Sequence, residues 1–429
     1  MTPSPTSPKT PWDQKPLTQR DLAILVGAVG VVLLAIVGTF VLLASKTTDK
    51  PTQVAATTAP TGGTPVAAEP EYPPLAALPP VSFPLDNPYS DAKAELGKLL
   101  YFDPRMSGDG STSCNSCHPA NDGSWAIGSP MSFGYPGTTH WRNSQTVYNV
   151  AYYLRLNWDG SATSIEKQNN GAWTGTVAGN LDTAMAEERL AQIPEYARLF
   201  KEVFGTDYPL YGDAIKAVAT FQRTIVSQNV PFDAYLNGDA NAISSEAKQG
   251  YELFTGKANC IACHNGPLVS DNSFHNTGVP TAPDFQTNAL RQITVRWQYW
   301  NRGVPEDEYA AMNADLGLYY ITKLDSDKGK FRTPSLRELC YTAPYMHNGV
   351  FTTLEEVVAF YNAGGGDPNG SAALTTSKDP LLQPLNLGEQ EQAALVAFMQ
   401  SLCGDKIIVE QPELPEYEVW PGVTLGGSR

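Results

Sequence analysis

Two pentapeptides stand out in the chain, Cys114-Asn-Ser-Cys117-His118 and Cys260-Ile-Ala-Cys263-His264. In each, two thiols lie three positions apart and an imidazole follows directly. Covalent haem attachment needs that spacing: the thiols add to the porphyrin vinyl groups while the neighbouring imidazole reaches the iron from the same face. A thioredoxin-like redox pair needs no histidine and would follow a strand, and a zinc site would need a closer second pair. The chain holds six Cys and five His, and the two pentapeptides take four and two of them. The expected cofactors are therefore two covalent haem c groups, with His118 on the first iron and His264 on the second. Cys340 and Cys403 are left over, even in number. A disulfide closing a loop of about sixty residues is one reading of them, and a pair of buried free thiols is the other.

Helical segments surround both signatures. Ser90 can cap a helix carrying Leu96, Leu99 and Leu100 that stops at Asp103-Pro104. Ser244, with Glu246 in the first turn, starts another that puts Ala247, Tyr251 and Phe254 on one face. A last helix is expected to open at Asn386, carry Leu395, Phe398 and Leu402, and end at Gly404. Strand-like alternation is scarce. The pattern predicts a mainly α fold with two haem domains, 85–235 and 236–405.

Other segments lie outside these domains. From Leu22 to Ser45 no residue is charged over 24 positions, roughly 36 Å of helix and enough to cross a bilayer once. A cleaved signal peptide is the competing reading, but the run is long for one and no clean small-x-small site follows it. The sequence thus predicts a cytoplasmic tail at 1–20, a transmembrane helix at 21–45, a disordered Pro/Thr/Ala-rich linker at 46–84 and a C-terminal tail at 406–429 lying over the body. Haem is attached outside the cytoplasmic membrane, so the body is expected on the periplasmic side of the inner membrane. With 29 Lys+Arg against 44 Asp+Glu, a net charge of −15, nucleic acid is excluded as a partner and a soluble redox protein with a basic face is favoured.

Further words accompany the signatures: Leu96-Gly-Lys-Leu-Leu-Tyr-Phe-Asp-Pro-Arg105, Arg142-Asn143, Trp158-Asp-Gly160, Phe331-Arg-Thr-Pro-Ser-Leu-Arg337 and Thr342-Ala-Pro-Tyr-Met-His347. Over roughly residues 90 to 404 this set resembles the bacterial di-haem cytochrome c peroxidase and MauG family. The resemblance implies two cytochrome-c-like domains facing each other, one haem reacting with hydrogen peroxide and the other passing electrons. It puts the intervening tryptophan at Trp158 and an arginine between the haems at Arg332. It also implies a calcium ion held by Asn143, Thr342 and Pro344, a hard-oxygen set. Fourteen residues beyond His347, where the electron-transfer peroxidases carry a ligating Met, stands Tyr361. MauG-like members also have tyrosine there, and a phenolate lowers the potential of the second iron. The partners implied are hydrogen peroxide and a small donor such as a soluble cytochrome, or an oxidisable protein, with a bilayer through one helix; a homodimer is compatible with the resemblance.

The first haem pocket departs from the family pattern. Tyr135 stands where the distal His of the peroxidases would fall, and Ala178 where an acid helps break the O–O bond; no Asp or Glu occurs between Glu166 and Asp182. Gln168 matches the pocket glutamine, and Trp173 is expected beside it. The distal side of the first iron is therefore open, or faces Tyr135 or His140. His275 and His347 are expected to bond haem propionates or backbone near the second haem. Two functions remain at this point: a MauG-like peroxidase slowed by the missing acid, and a non-catalytic di-haem electron carrier on the same scaffold.

Overall fold

The computed structural model describes residues 72–366, 374 and 377–418. The expected spanning helix at 21–45 lies outside the described residues, as do the tail at 1–20, the linker up to residue 71 and residues 419–429. None of the described helices is long and apolar enough to cross a membrane.

Each attachment signature follows a helix that a later helix crosses at a glycine. In the first half this is α1 (Asp91–Phe102), started by the Ser90 side chain accepting from the Lys93 amide. After α2 (Cys114–Cys117) come α3 (Ile165–Thr174), α4 (Thr183–Ala191), α5 (Pro194–Phe204) and α6 (Tyr211–Gln222). A side chain at Gly97 would collide with the Ala217 carbonyl of α6, so glycine is what lets the two backbones approach. Leu96, Leu100, Tyr101, Trp125, Tyr196, Phe200 and Phe221 form the core around that crossing.

The second half repeats the device. After α7 (Pro231–Leu236), α8 (Ser245–Thr255) is capped by Ser244 and crosses the last helix at Gly250, which faces the Ala394 carbonyl. Between them the chain forms α9 (Ala289–Asn301), α10 (Glu306–Ala311), α11 (Tyr319–Thr322) and α12 (Leu354–Asn362), and the last helix is α13 (Glu389–Ser401). Phe398 of α13 is fully buried, with the rings of Phe254 and Phe232 at 4.9 and 5.0 Å. Truncating it to alanine would cost about 3–5 kcal/mol. Segments α9 to α11 add a small core of their own, including Phe285, Val295, Tyr299, Tyr319 and Tyr320. Strands β1 (Phe274–His275) and β2 (Phe331–Arg332) pair antiparallel, Phe274 opposite Arg332.

Two boundaries differ from the sequence expectation. Residues 72–84 are not tether: Leu75 is buried in the second core, and the carbonyls of Pro73, Ala76 and Pro79 accept from Gly266, Arg337 and Tyr152. A proline-rich stretch can still be fixed when its carbonyls find donors, which composition does not reveal. The last helix begins at Glu389 behind Gly388, whose amide bonds the Glu391 carboxylate, while Asn386 sits in the left-handed region at φ 55°. Residues 406–418 of the tail do lie over the body, on the first core: Trp125 Nε1 donates to the Ile407 carbonyl and Arg105 to that of Pro415. Cys340 and Cys403 are joined by a disulfide.

Candidate haem and peroxide site

One cavity of about 610 Å³ borders both attachment signatures, with Cys114, Cys117 and His118 from the first half and His264 and Tyr361 from the second on its wall. His118 directs Nδ1 to the Trp125 carbonyl and His264 directs Nδ1 to that of Val269, both at 3.3 Å. Such bonds fix the ring and leave Nε2 for a metal. Burial lowers both imidazole pKa values, that of His264 to about 4, which keeps the rings neutral as ligands must be. The four pentapeptide thiols are unbonded to one another. This donor set fits two haem c groups.

Arg332 supports the same fit. Its guanidinium is buried, lies 3.8 Å from the centre of the Tyr153 ring and donates to the carbonyls of Asn157 and Thr333. It has no carboxylate partner among the described residues, so a buried cation on the cavity wall is left for an anionic group such as a propionate.

Trp158 is held at both ends. Its Nε1 donates to the Asn143 carbonyl at 2.9 Å, and its own carbonyl accepts from the Arg332 amide at 2.9 Å. The Asn143 amide in turn donates to the His347 carbonyl at 2.7 Å, linking the two halves. His347 stacks on Phe331 at 3.7 Å and meets Trp158 edge-on at 6.5 Å. Asn143 Nδ2 donates to the Ser129 carbonyl, and its Oδ1 has no partner among the described residues. Among the described residues the Thr342 and Pro344 carbonyls likewise accept no backbone hydrogen bond, and all three residues border the cavity.

The wall of the cavity also carries Gln168, Trp173, Ala178 and His140. Tyr135 does not line it. The two acids that bracket the acid-free stretch are committed elsewhere: Glu166 pairs with Arg223 at 2.6 Å and Asp182 caps α4 through the Met185 amide. Burial would raise Glu166, but Arg223 and Asn87 outweigh it and hold the carboxyl down to about 2. Burial, with some help from His118, lowers His140 to about 4, so its ring is neutral at physiological pH. His140 stacks over Trp141 with ring centres 6.3 Å apart.

On the second side Tyr361 projects from α12. Burial first, and then Cys263 and Cys260, push its phenol well up. His275 is not available to a propionate, because Asp379 takes Nδ1 at 2.5 Å and Asp271 takes Nε2 at 2.8 Å. Hydrogen bonds to Asp271, Cys263 and Asp379 raise it to about 11, so it is an imidazolium between two carboxylates. Sequence reasoning also missed Met346 and Met399, whose thioethers come from residues on the cavity wall. No spacing relative to the pentapeptides distinguishes them from core methionines.

Two attachment signatures opening on one cavity define a di-haem c-type cytochrome. Residues 91–241 match the family model for di-haem cytochrome c peroxidases. The chain is 52% identical over 354 residues to the cytochrome-c peroxidase IdrP1 of Pseudomonas sp. (strain SCT), covering 82% of this chain and 91% of that protein. It is 35% identical over 336 residues to the methylamine utilization protein MauG of Methylorubrum extorquens, covering 78% and 85%. Its fold matches the crystal structure of a MauG-like protein associated with microbial copper homeostasis, with a TM-score of 0.64 and 29% identity over 80% of this chain and 97% of that one. The chain therefore belongs to the di-haem cytochrome c peroxidase and MauG family. It is an oxidoreductase of that family, and the carrier-only reading gives way.

Proposed function

We propose that the protein is a membrane-tethered, MauG-like peroxidase that reduces hydrogen peroxide in the periplasm with electrons from a small cytochrome. The observation that carries the reading is the single cavity bordered by His118, Trp158, His264 and Tyr361. When bound, the two haems supply the centres that exchange electrons with peroxide and donor. The overall change consumes two electrons and two protons per peroxide and releases two waters.

The chain's own part is to place peroxide and move its proton. Gln168 offers an amide to the pocket over His118, where no free carboxyl stands. His140 replaces the missing acid: a ring nitrogen, neutral because the residue is buried, takes the proton from one peroxide oxygen and returns it to the other. Tyr361, with His264, would hold the second haem, and Trp158 would relay electrons between the two sides. Asn143 Oδ1 and the Thr342 and Pro344 carbonyls hold calcium. The uncharged run at 22–45 anchors the chain with residues 1–20 in the cytoplasm, which agrees with haem attachment outside that membrane.

Stopped-flow mixing of the diferric protein with hydrogen peroxide tests the reading. Ala178→Glu should accelerate haem oxidation by about 10²-fold, and His140→Ala should slow it by about 10²-fold or more with both haems still attached. Unchanged rates in both variants would refute the proton role, and no haem oxidation ahead of bleaching in any of them would refute the peroxidase.

A further inference from the structure

Helix α9 is apolar on two opposite faces. One face, with Thr294, Val295 and Tyr299, is buried in the small core it shares with α11. The other carries Leu290, Ile293, Trp297 and Trp300, whose spacing of three, four and three residues sets them in one stripe. They are 45%, 56%, 37% and 70% exposed. A helix that needed only to cover the core would present polar residues there. The stripe offers on the order of 400 Å² of apolar surface, counting most of it from the two indoles. Contiguous patches of that size mark interaction sites.

We infer that this stripe docks on the lipid bilayer, lying between headgroups and acyl chains. The inference rests on the reading of residues 21–45 as a membrane anchor. Composition agrees with a lipid surface: tryptophan is favoured at the membrane boundary, and no Asp or Glu occurs from Asn288 to Gly303, against a net charge of −15 overall; Arg291 is buried against Asp284 and Arg302 faces Asp159, so the stripe is apolar rather than cationic. The acidic run Glu306, Asp307 and Glu308 begins only in α10. Arg296 keeps its side chain along the helix, bonded to Gln292 and to the Tyr309 carbonyl.

Reach and area choose between a bilayer and a second copy of the chain. Residues 46–71 span at most about 90 Å, more than the width of a body whose radius of gyration is about 21 Å. Any face of the body can therefore meet the membrane, at an effective concentration in the millimolar range. A second copy would gain only about half of the roughly 800 Å² per partner that a stable dimer uses. A pre-tethered helix needs no such area.

The test uses the full-length holoprotein reconstituted in vesicles of zwitterionic and anionic phospholipid containing a lipid with a photoreactive acyl chain. After illumination, adducts are mapped by peptide mass spectrometry. Docking predicts adducts at 22–45 and on α9, and the double variant Ile293→Glu, Trp300→Glu should lose about tenfold or more of the α9 adducts while keeping those at 22–45. Detergent-solubilised peroxidase activity of the variant should be unchanged, which reports that it is folded. Adducts at 22–45 without any on α9 would overturn the docking and leave the anchor standing. Absence of both would overturn the anchor as well. A concentration-dependent dimer that the double variant abolishes, with α9 unlabelled, would assign the stripe to a second copy and overturn the lipid proposal.

Discussion

Replacing Arg142 with methionine strands two buried carboxylates. The guanidinium bonds Asp315 through Nε at 2.6 Å and Nη2 at 2.8 Å, and Asp159 through Nη1 at 2.8 Å. The nearest alternative cation is Arg302, 3.9 Å from Asp159. Breaking a buried pair from one side costs about 3–5 kcal/mol, because the partner charge remains without compensation. For a body of roughly 340 residues, unfolding entropy near 0.7 kcal/mol/K converts this to a fall of about 4–7 °C in Tm at pH 7. The pH dependence carries a sign. Burial alone would raise the Asp159 pKa, but Arg142 and Arg302 outweigh it and hold the carboxyl below its ordinary range. In the native protein this stabilises above pH ~4 and is lost as pH falls through the depressed value. Without Arg142 the burial effect gains weight and the folded pKa rises, so the variant loses stability as pH increases above ~4. The gap in Tm between native protein and variant should therefore be widest near neutral pH and narrow toward pH ~5. Thermal melts followed by circular dichroism, with haem content checked by absorbance, measure it. A gap below about 1 °C, or one that widens on acidification, would refute the reasoning. Adding Asp315→Leu to Arg142→Met should recover part of the loss, since an apolar replacement removes one stranded charge.

Other consequences are open to direct measurement. Alkylation of the unreduced, denatured holoprotein should leave Cys340 and Cys403 unlabelled, and Cys403→Ser should lower stability by about 2–5 kcal/mol; two labelled thiols would contradict the bond. Chelation of calcium should alter the spectrum or the interhaem transfer rate and added Ca²⁺ should restore it, with Asn143→Ala raising the calcium concentration required; identical behaviour of a preparation shown by elemental analysis to be calcium-free would dismiss the site. Tyr361→Met should raise the potential of the second haem in a redox titration, whereas an unchanged potential would remove Tyr361 from the ligand set.

Much of the site was legible because its chemistry is local. Two thiols and an imidazole at fixed spacing announce haem attachment before any fold is known, and Ser90 and Ser244 announce helix starts because a cap acts on amides two or three residues away. The absence of a carboxyl between Glu166 and Asp182 is also a property of the chain alone. Helical repeats at Leu96 and Leu100, at Ala247 and Phe254, and at Leu395 and Phe398 marked the two cores, since burial follows the period of the helix.

What the tertiary structure decided was partnership across long stretches of chain. Arg142 is one word of a motif in sequence; its partner Asp315 lies 173 residues away, and only folding brings them together. Tyr135 and His140 are equivalent candidates until the loop carrying them closes and sets His140, not Tyr135, on the cavity wall. His275 could serve a propionate until Asp379, 104 residues on, takes its second nitrogen. Residues 72–84 have the composition of a tether and become part of the body through carbonyls bonded to Gly266, Arg337 and Tyr152. Helix α9 shows the same limit, because a helix apolar on two faces has no sequence signal that says which face is buried. Local patterns report which groups a residue offers; the partners that satisfy those groups are chosen by contacts that cost chain entropy to form and exist only in the assembled fold.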